Sequence, residues 1–488
     1  EADASPRPAR PHSSTGHPDP PRYGFVTARI AETRFGLGVR PGDAPPANPE
    51  GWLLAQFDAF VPRPAPVAAL PTTAANSKQA VAASRVWTDR ALSMEQRNVI
   101  TRAFRQYADT VLADGIRART EVALDSKAPF VERLVHFWAN HFAISAQSER
   151  TAVLAANFEF EAIRPHVLGR FEELLLAALR HPALLTYLDQ ITSMGPDSEA
   201  ALVRNNYHRR MGNPDEFGAN ENFAREVLEL HTLGVDGGYT QKDVIELAHA
   251  LTGWSISNFT YFPQSAEAPD GSFIFNRSWH QPGRRTVLGT TYGQAGEAQG
   301  LAVVRDLARH PSTARHVSFK LARHFVADDP PPALVDRMAA RFLETGGSLP
   351  DVYAELVRAP EAWNPRPAKI RNPWDWTLAS MKALGLHSAE GVDVSGLLKR
   401  LGQPVWVPGS PAGWADVGGA FSGTNMMLAR IEAAREFATR FASGADAAAI
   451  AEALPGGAVS RPTGQALAAS EGADRIALLL LSSEFHRR

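Results

Sequence analysis

The chain has 488 residues, 44% of them hydrophobic and 21% charged, with a formal net charge of −2 at pH 7. That length exceeds the roughly 100 to 200 residues of one ordinary domain and allows a sizeable core, while the near-neutral balance leaves no basic footprint for nucleic acid. The absence of Cys excludes disulfides, thiolate metal sites and a cysteine nucleophile, and the most apolar stretch, Ile476 to Ser482, is too short to span a bilayer.

Glu1 to Arg22 is rich in Pro, Ser and Ala without apolar periodicity. It reads as a flexible segment such as opens a processed, exported protein, periplasmic or extracellular, with a cytoplasmic chain as the alternative. Residues 23–488 are expected to form a single large helical domain, with two lobes, 23–296 and 297–488, as the alternative. Arg34 to Gly38 suggests an anchoring turn, Gly51 to Phe57 a short helix, and the Pro- and Ala-rich Val61 to Ser84 a surface connection. Apolar residues then recur at spacings of three and four through Arg97 to Glu121, Phe130 to Phe142, Phe158 to Leu179, Glu221 to Leu233 and Gln241 to Leu251. Between about 254 and 293 the pattern changes. Gly271 to Phe275 and Arg285 to Gly289 are short and β-prone, and predict a small hairpin. Helical spacing resumes in Leu301 to Ala308, Ala314 to Val326, Pro332 to Leu343, Asp351 to Val357, Trp374 to Leu384, Asn425 to Phe441 and Gly472 to Ser483. Gly402 to Trp414 interrupts it with an aromatic loop of the kind that caps a site. The fold class is mainly α: a large multi-helix globular protein with a small inserted β-hairpin.

Chemistry concentrates in Glu221 to Leu233. Phe223, Val227 and Leu230 form its apolar stripe. Glu226 and Glu229 share an adjacent face, Glu221, Arg225 and Glu229 are spaced for ion pairs, and His231 lies where partial negative charge gathers at a helix C-terminus. Thr240 and Asp243 resemble a capping box opening the next helix. In Arg133 to Phe142, His136 and Asn140 share a face, whereas His141 points about 140° away from His136. His280 falls on the turn of the expected hairpin, where histidines are less often core. Glu246 and His249 match one half of a carboxylate-bridged di-iron helix pair, but no second Glu-x-x-His accompanies them. Walker loops, nucleophile elbows and dinucleotide fingerprints are missing.

Arg34 to Gly38, His136 to Phe142, His181 to Ala183, Asn220 to Gln241, Leu251 to Trp254, His280 with Pro282 and Gly283, Lys320 to Arg323 and Pro411 to Trp414 together resemble a bacterial family catalogued as domain of unknown function 1800. The resemblance implies a large helical protein, often exported and commonly encoded beside a partner similar to the sulfatase and alkaline phosphatase superfamily. Three positions depart from the family pattern: Gln281 and Arg285 stand where Asp and Lys are usual, and His249 where Arg is usual.

Two readings fit these residues. In one, His136, His141, Glu226, Glu229, His231 and His280 converge in a helical cleft, roofed by the hairpin and the Trp414 loop, as an acid/base or metal-dependent site, with a divalent metal as the implied cofactor. Glu226 then needs a counter-charge, for which Arg133, a histidine or a metal would serve. In the other, the same residues form a buried structural network in a non-catalytic exported scaffold that partners the sulfatase-like or phosphatase-like protein.

Overall fold

A computed structural model describes residues 26–87, 89–210, 218–258, 268–366, 369–454 and 458–488. The N-terminal segment expected to be flexible and part of the expected hairpin lie outside these residues. Helices dominate, and strands among the described residues are confined to two antiparallel pairs. No described helix is long and apolar enough to cross a membrane.

The longest helix, α1 (Met94–Asp125), opens on a capping box in which Ser93 and Gln96 satisfy each other's backbone donors. After a short turn, α2 (Pro129–His141) begins with Pro at its first position, where a missing N–H costs nothing. It packs across the molecule: Trp138, fully buried, donates from Nε1 to the Tyr353 hydroxyl at 2.6 Å. Helix α3 (Glu149–Asn157) lies close against α1, because Gly115 lacks the Cβ that would sit 2.6 Å from the Ala156 Cβ.

Three expectations are corrected here. The connection expected over Val61 to Ser84 contains a helix, Thr73–Arg85, capped by the Thr72 hydroxyl; its Ala-rich run outweighs the prolines before it. The helix expected from Phe158 to Leu179 is broken, with a π-helical turn at Phe158–Ile163, a 3-10 turn at Arg164–His166 and a fresh helix at Phe171–Arg180. Pro165 and Gly169 account for the break. The segment from Glu221 starts as α4 (Glu221–Glu226) and widens into a π-helical turn at Val227–Thr232, where the Thr232 hydroxyl reaches back to the Val227 carbonyl at 2.6 Å.

Thr240 and Asp243 do form a capping box, at the start of α5 (Gln241–Leu251). The two β-prone segments expected to pair with each other instead find separate partners. Strand β1 (Trp254–Ile256) pairs with β2 (Phe273–Phe275), and β3 (Arg285–Val287) with β4 (Thr290–Tyr292). Leu288 and Gly289, both at positive φ, make the two-residue turn between β3 and β4.

Two helices complete the frame of the site: α6 (Pro311–Phe325), capped by the His310 ring, and α7 (Pro373–Ala383), capped by the Asn372 side chain. The main cluster of buried apolar side chains runs from Ala31 to Phe485, beside a small one of Met194, Ala201 and Trp279.

Candidate functional site

A cavity of about 270 Å³ opens where α1, α2, α6, the start of α7 and the 401–416 loop meet. Each element sends charge into it. Arg119 comes from α1, His136, Asn140 and His141 from α2, Lys320, Arg323 and His324 from α6, and Trp374 and Asp375 from α7. Gln403, Trp406, Trp414 and Asp416 come from the loop.

The loop is pinned from both sides. Asn140 donates from Nδ2 to the Trp414 carbonyl at 2.9 Å and accepts the Trp414 N–H on Oδ1 at 2.7 Å. Gly413 passes so close that a Cβ there would lie 2.4 Å from the Asn140 carbonyl oxygen. Trp406 has a left-handed backbone, φ 53°, which costs a non-Gly residue about 1–2 kcal/mol. Its carbonyl accepts from Ala146 N at 2.7 Å, and its indole N–H donates to Glu159 at 2.7 Å. Such strain persists only where the surroundings over-determine it.

Most charges around the cavity are matched. Asp375, 5% exposed, accepts from Arg133 at 2.7 Å and lies 3.1 Å from Arg488 Nε in a second ion pair. Burial alone would raise its carboxyl, but those two guanidiniums outweigh it and hold the pKa at about 2. Asp416 lies 2.6 Å from His324 Nδ1 and 3.1 Å from Lys369 Nζ. Against the push of its own burial, they keep it far below the usual carboxylate range. Glu159 accepts Arg119 Nε on both oxygens at 2.9 Å.

Lys320 differs. It lines the cavity, and its amine has no hydrogen bond or ion pair to any described residue. Burial pushes its pKa down to about 8, with Asp416 pulling the other way and Arg323 adding to the depression. His136 is poised differently. Its Nδ1 accepts the Trp374 indole N–H at 3.2 Å, so the ring hydrogen belongs on Nε2. Burial, reinforced by Arg119 and Arg133, pushes the imidazolium well down and keeps the ring neutral.

The six residues expected to converge do not all reach this cavity. His136 and His141 line it. His231 lies behind them, fully buried, its carbonyl 3.2 Å from His141 Nε2 and its ring centroid 6.3 Å from that of His141. Burial, then Lys320 and His316, push its pKa down to about 3.

Glu226 and Glu229 are half-buried and line no part of the cavity. Glu229 accepts the Tyr239 hydroxyl at 2.8 Å. Burial raises the Glu226 carboxyl, and the Glu229 charge raises it further against the pull of Arg225. The counter-charge expected from Arg133 is absent, because Arg133 is committed to Asp375. Nor does Arg225 make the expected ion pairs along its own helix; it donates to Gln241, which in turn donates to Glu221.

His280 packs in another place, its Nδ1 3.1 Å from the Thr252 carbonyl and its ring 5.4 Å from that of Phe275. Glu246 and His249 face Arg285, at 3.8 and 3.3 Å. Among the described residues no three His, Cys, Asp or Glu side chains are placed to hold a metal ion. The described residues therefore do not fit the divalent metal expected from the sequence.

Sequence reasoning missed Arg119, Lys320, His324 and Asp416. One signal was available. Only seven of the 50 basic residues are Lys, so a Lys retained four positions before a His, on one helical face, marks a place where arginine does not serve. Arg119 and Asp416 carried no such mark.

The sequence model of a family described as a protein of unknown function (DUF1800) matches residues 30–487. No curated protein and no solved structure matches the chain.

Proposed function

From the premise that the chain belongs to the DUF1800 family over nearly its whole length, we propose that it is an enzyme of the acid/base class, acting on a small molecule in the cavity between α1, α2, α6 and the 401–416 loop. The observation that carries this reading is Lys320, a cavity-lining cation with no hydrogen-bond or ion-pair partner among the described residues, beside neighbours that are matched. A lysine buried among other cations loses affinity for its proton and can both give and take one near neutral pH. His136 supports it: a neutral ring with Nε2–H free is a hydrogen-bond donor that stabilises charge developing on an oxygen. Within the chain, Asp416 orients His324 one helical turn from Lys320, and Glu159 orients Arg119.

One observation favours the scaffold reading instead. Arg133, Arg488 and Asp375 also tie α2, α7 and the 485–488 segment together, and Arg133 donates to the Gly36 carbonyl at 2.8 Å. Those contacts are structural and leave Lys320 unexplained.

Competitive acylation with a small anhydride, read by peptide mass spectrometry over a pH series, tests the proposal. The exposed Lys78, Lys127, Lys242 and Lys399 are internal references. Lys320 is expected to react with a midpoint near pH 8, about two pH units below an unperturbed lysine. A midpoint in the ordinary lysine range, or no reaction under any condition, sinks the proposal.

A further inference from the structure

We propose that the cavity seats a small oxyanion, a carboxylate or phosphate group, on the two terminal nitrogens of Arg119, with His136 Nε2–H as a second donor. The inference rests on the reading of this cavity as a reaction site, and names the chemistry of what it takes.

Charge balance is the first ground. Arg119, Arg133, Lys320 and Arg323 line the cavity against two carboxylates, Asp375 and Asp416. Both carboxylates are already occupied, by Arg133 with Arg488 and by His324 with Lys369. The lining is therefore cationic, and its carboxylates have no charge to spare for a cationic ligand.

The second ground is how Arg119 is held. Its Nε donates to both oxygens of the buried Glu159, which turns the Nη1/Nη2 fork away from its own ion pair. Neither terminal nitrogen makes a hydrogen bond within the described residues, although the residue is only 9% exposed. The guanidinium lies 4.1 Å from the Trp374 ring centroid and 5.8 Å from that of Trp406. A planar fork fixed by stacking has little rotamer entropy left to lose, and its two parallel N–H groups match the spacing of carboxylate or phosphate oxygens.

The third ground is independent of charge. Trp406 holds its ring there with a left-handed backbone, and Gly115 makes room for it, since a Cβ at 115 would lie 3.3 Å from that ring. The chain accepts strain and a helical glycine to keep an indole near Arg119. Trp374 links the two donors: it stacks on Arg119 and donates to His136 Nδ1, which leaves the His136 N–H on Nε2.

Calorimetric titration of the full chain with sodium benzoate and, separately, with inorganic phosphate tests the seat. One of the two probes is expected to bind one to one, and the tighter one assigns the anion. Arg119→Lys keeps the charge but loses the fork, and should weaken binding about tenfold or more, the worth of one charge-assisted hydrogen bond. Because Arg119→Lys disturbs buried Glu159, His136→Phe is a second variant; it removes the Nε2 donor and should also weaken binding about tenfold. If neither probe binds at about 10 mM, a free energy of under 3 kcal/mol, or if both folded variants bind as tightly as the parent, the seat is wrong. Failure of the seat with a low Lys320 acylation midpoint contradicts only this inference. Anion binding with an ordinary Lys320 midpoint contradicts only the proton-transfer reading.

Discussion

The Trp406 indole N–H donates at 2.7 Å to Glu159, the carboxylate that fixes Arg119. One buried acceptor thus sets the place of both an aromatic ring and a guanidinium in the cavity wall. Exchanging Trp406 for Phe keeps a ring but removes this donor. The expected cost is about 1–3 kcal/mol, that of an under-satisfied buried carboxylate, together with weaker anion binding. Thermal unfolding checks the first effect and calorimetry the second. Unchanged values for both would show that the Trp406–Glu159 bond holds nothing in place.

Gly413→Ala forces a Cβ onto the Asn140 carbonyl at a position where φ is +77°. The loop should detach from α2 at Trp414, whose N–H is held by Asn140 Oδ1. Hydrogen exchange at the Trp414 amide is expected to accelerate by about tenfold or more, the worth of about 1.4 kcal/mol of lost closure. Exchange at the parent rate would mean that the loop is held elsewhere.

His231 and His316 have pKa values pushed down to about 3 and about 4 by burial and the Lys320 charge, against an ordinary 6.5. Both therefore fold as neutral rings. Their contribution to stability is complete above about pH 6.5 and is lost as pH falls towards 4, because the unfolded chain takes up the protons. Acid lability should begin near pH 6.5, above the carboxylate range. His231→Phe keeps the ring packing against Phe142, 5.2 Å between centroids. It should gain about 1–2 kcal/mol on the parent between pH 8 and pH 5. A parallel pH dependence in parent and variant would rule out a neutral buried His231.

Glu226→Gln removes one charge from the Glu226/Glu229 pair, whose repulsion adds to burial in raising the Glu226 carboxyl. Since the folded state favours the protonated form, the variant should be slightly more stable than the parent at pH 7. The difference should vanish by about pH 4, where Glu226 protonates by itself. Lower stability at pH 7 would reveal a favourable partner for the Glu226 charge.

Helix type was legible wherever a 3.6-residue period ran unbroken, as in α2 and α6. It failed where the period changes. The π-helical turn at Val227–Thr232 admits an extra residue and rotates the residues beyond it, so a helical wheel drawn through Glu221 to Leu233 misplaces His231. The partners of β2 and β3 were not legible because Leu288 and Gly289 carry no Asn-Gly or Asp-Gly turn signal. His136 and the 402–414 loop pointed to the cavity because a polar face and an aromatic loop are local patterns. Arg119, Lys320 and Asp416 come from distant segments, and their meeting depends on packing that spacing alone does not encode.

The proposed chemistry depends on a free Lys320 amine in the cavity, and carbon-13 dimethylation of the lysines with NMR titration detects that amine directly. Seven lysines give a small set of resonances, and Lys320→Arg and Lys382→Arg assign the two whose pKa burial lowers to about 8. The Lys320 resonance should titrate near pH 8 and respond to benzoate or phosphate, whereas Lys382, which lies outside the cavity wall, should titrate near 8 without responding. A Lys320 midpoint above about 10, the range of an unperturbed lysine, would contradict proton transfer by this residue.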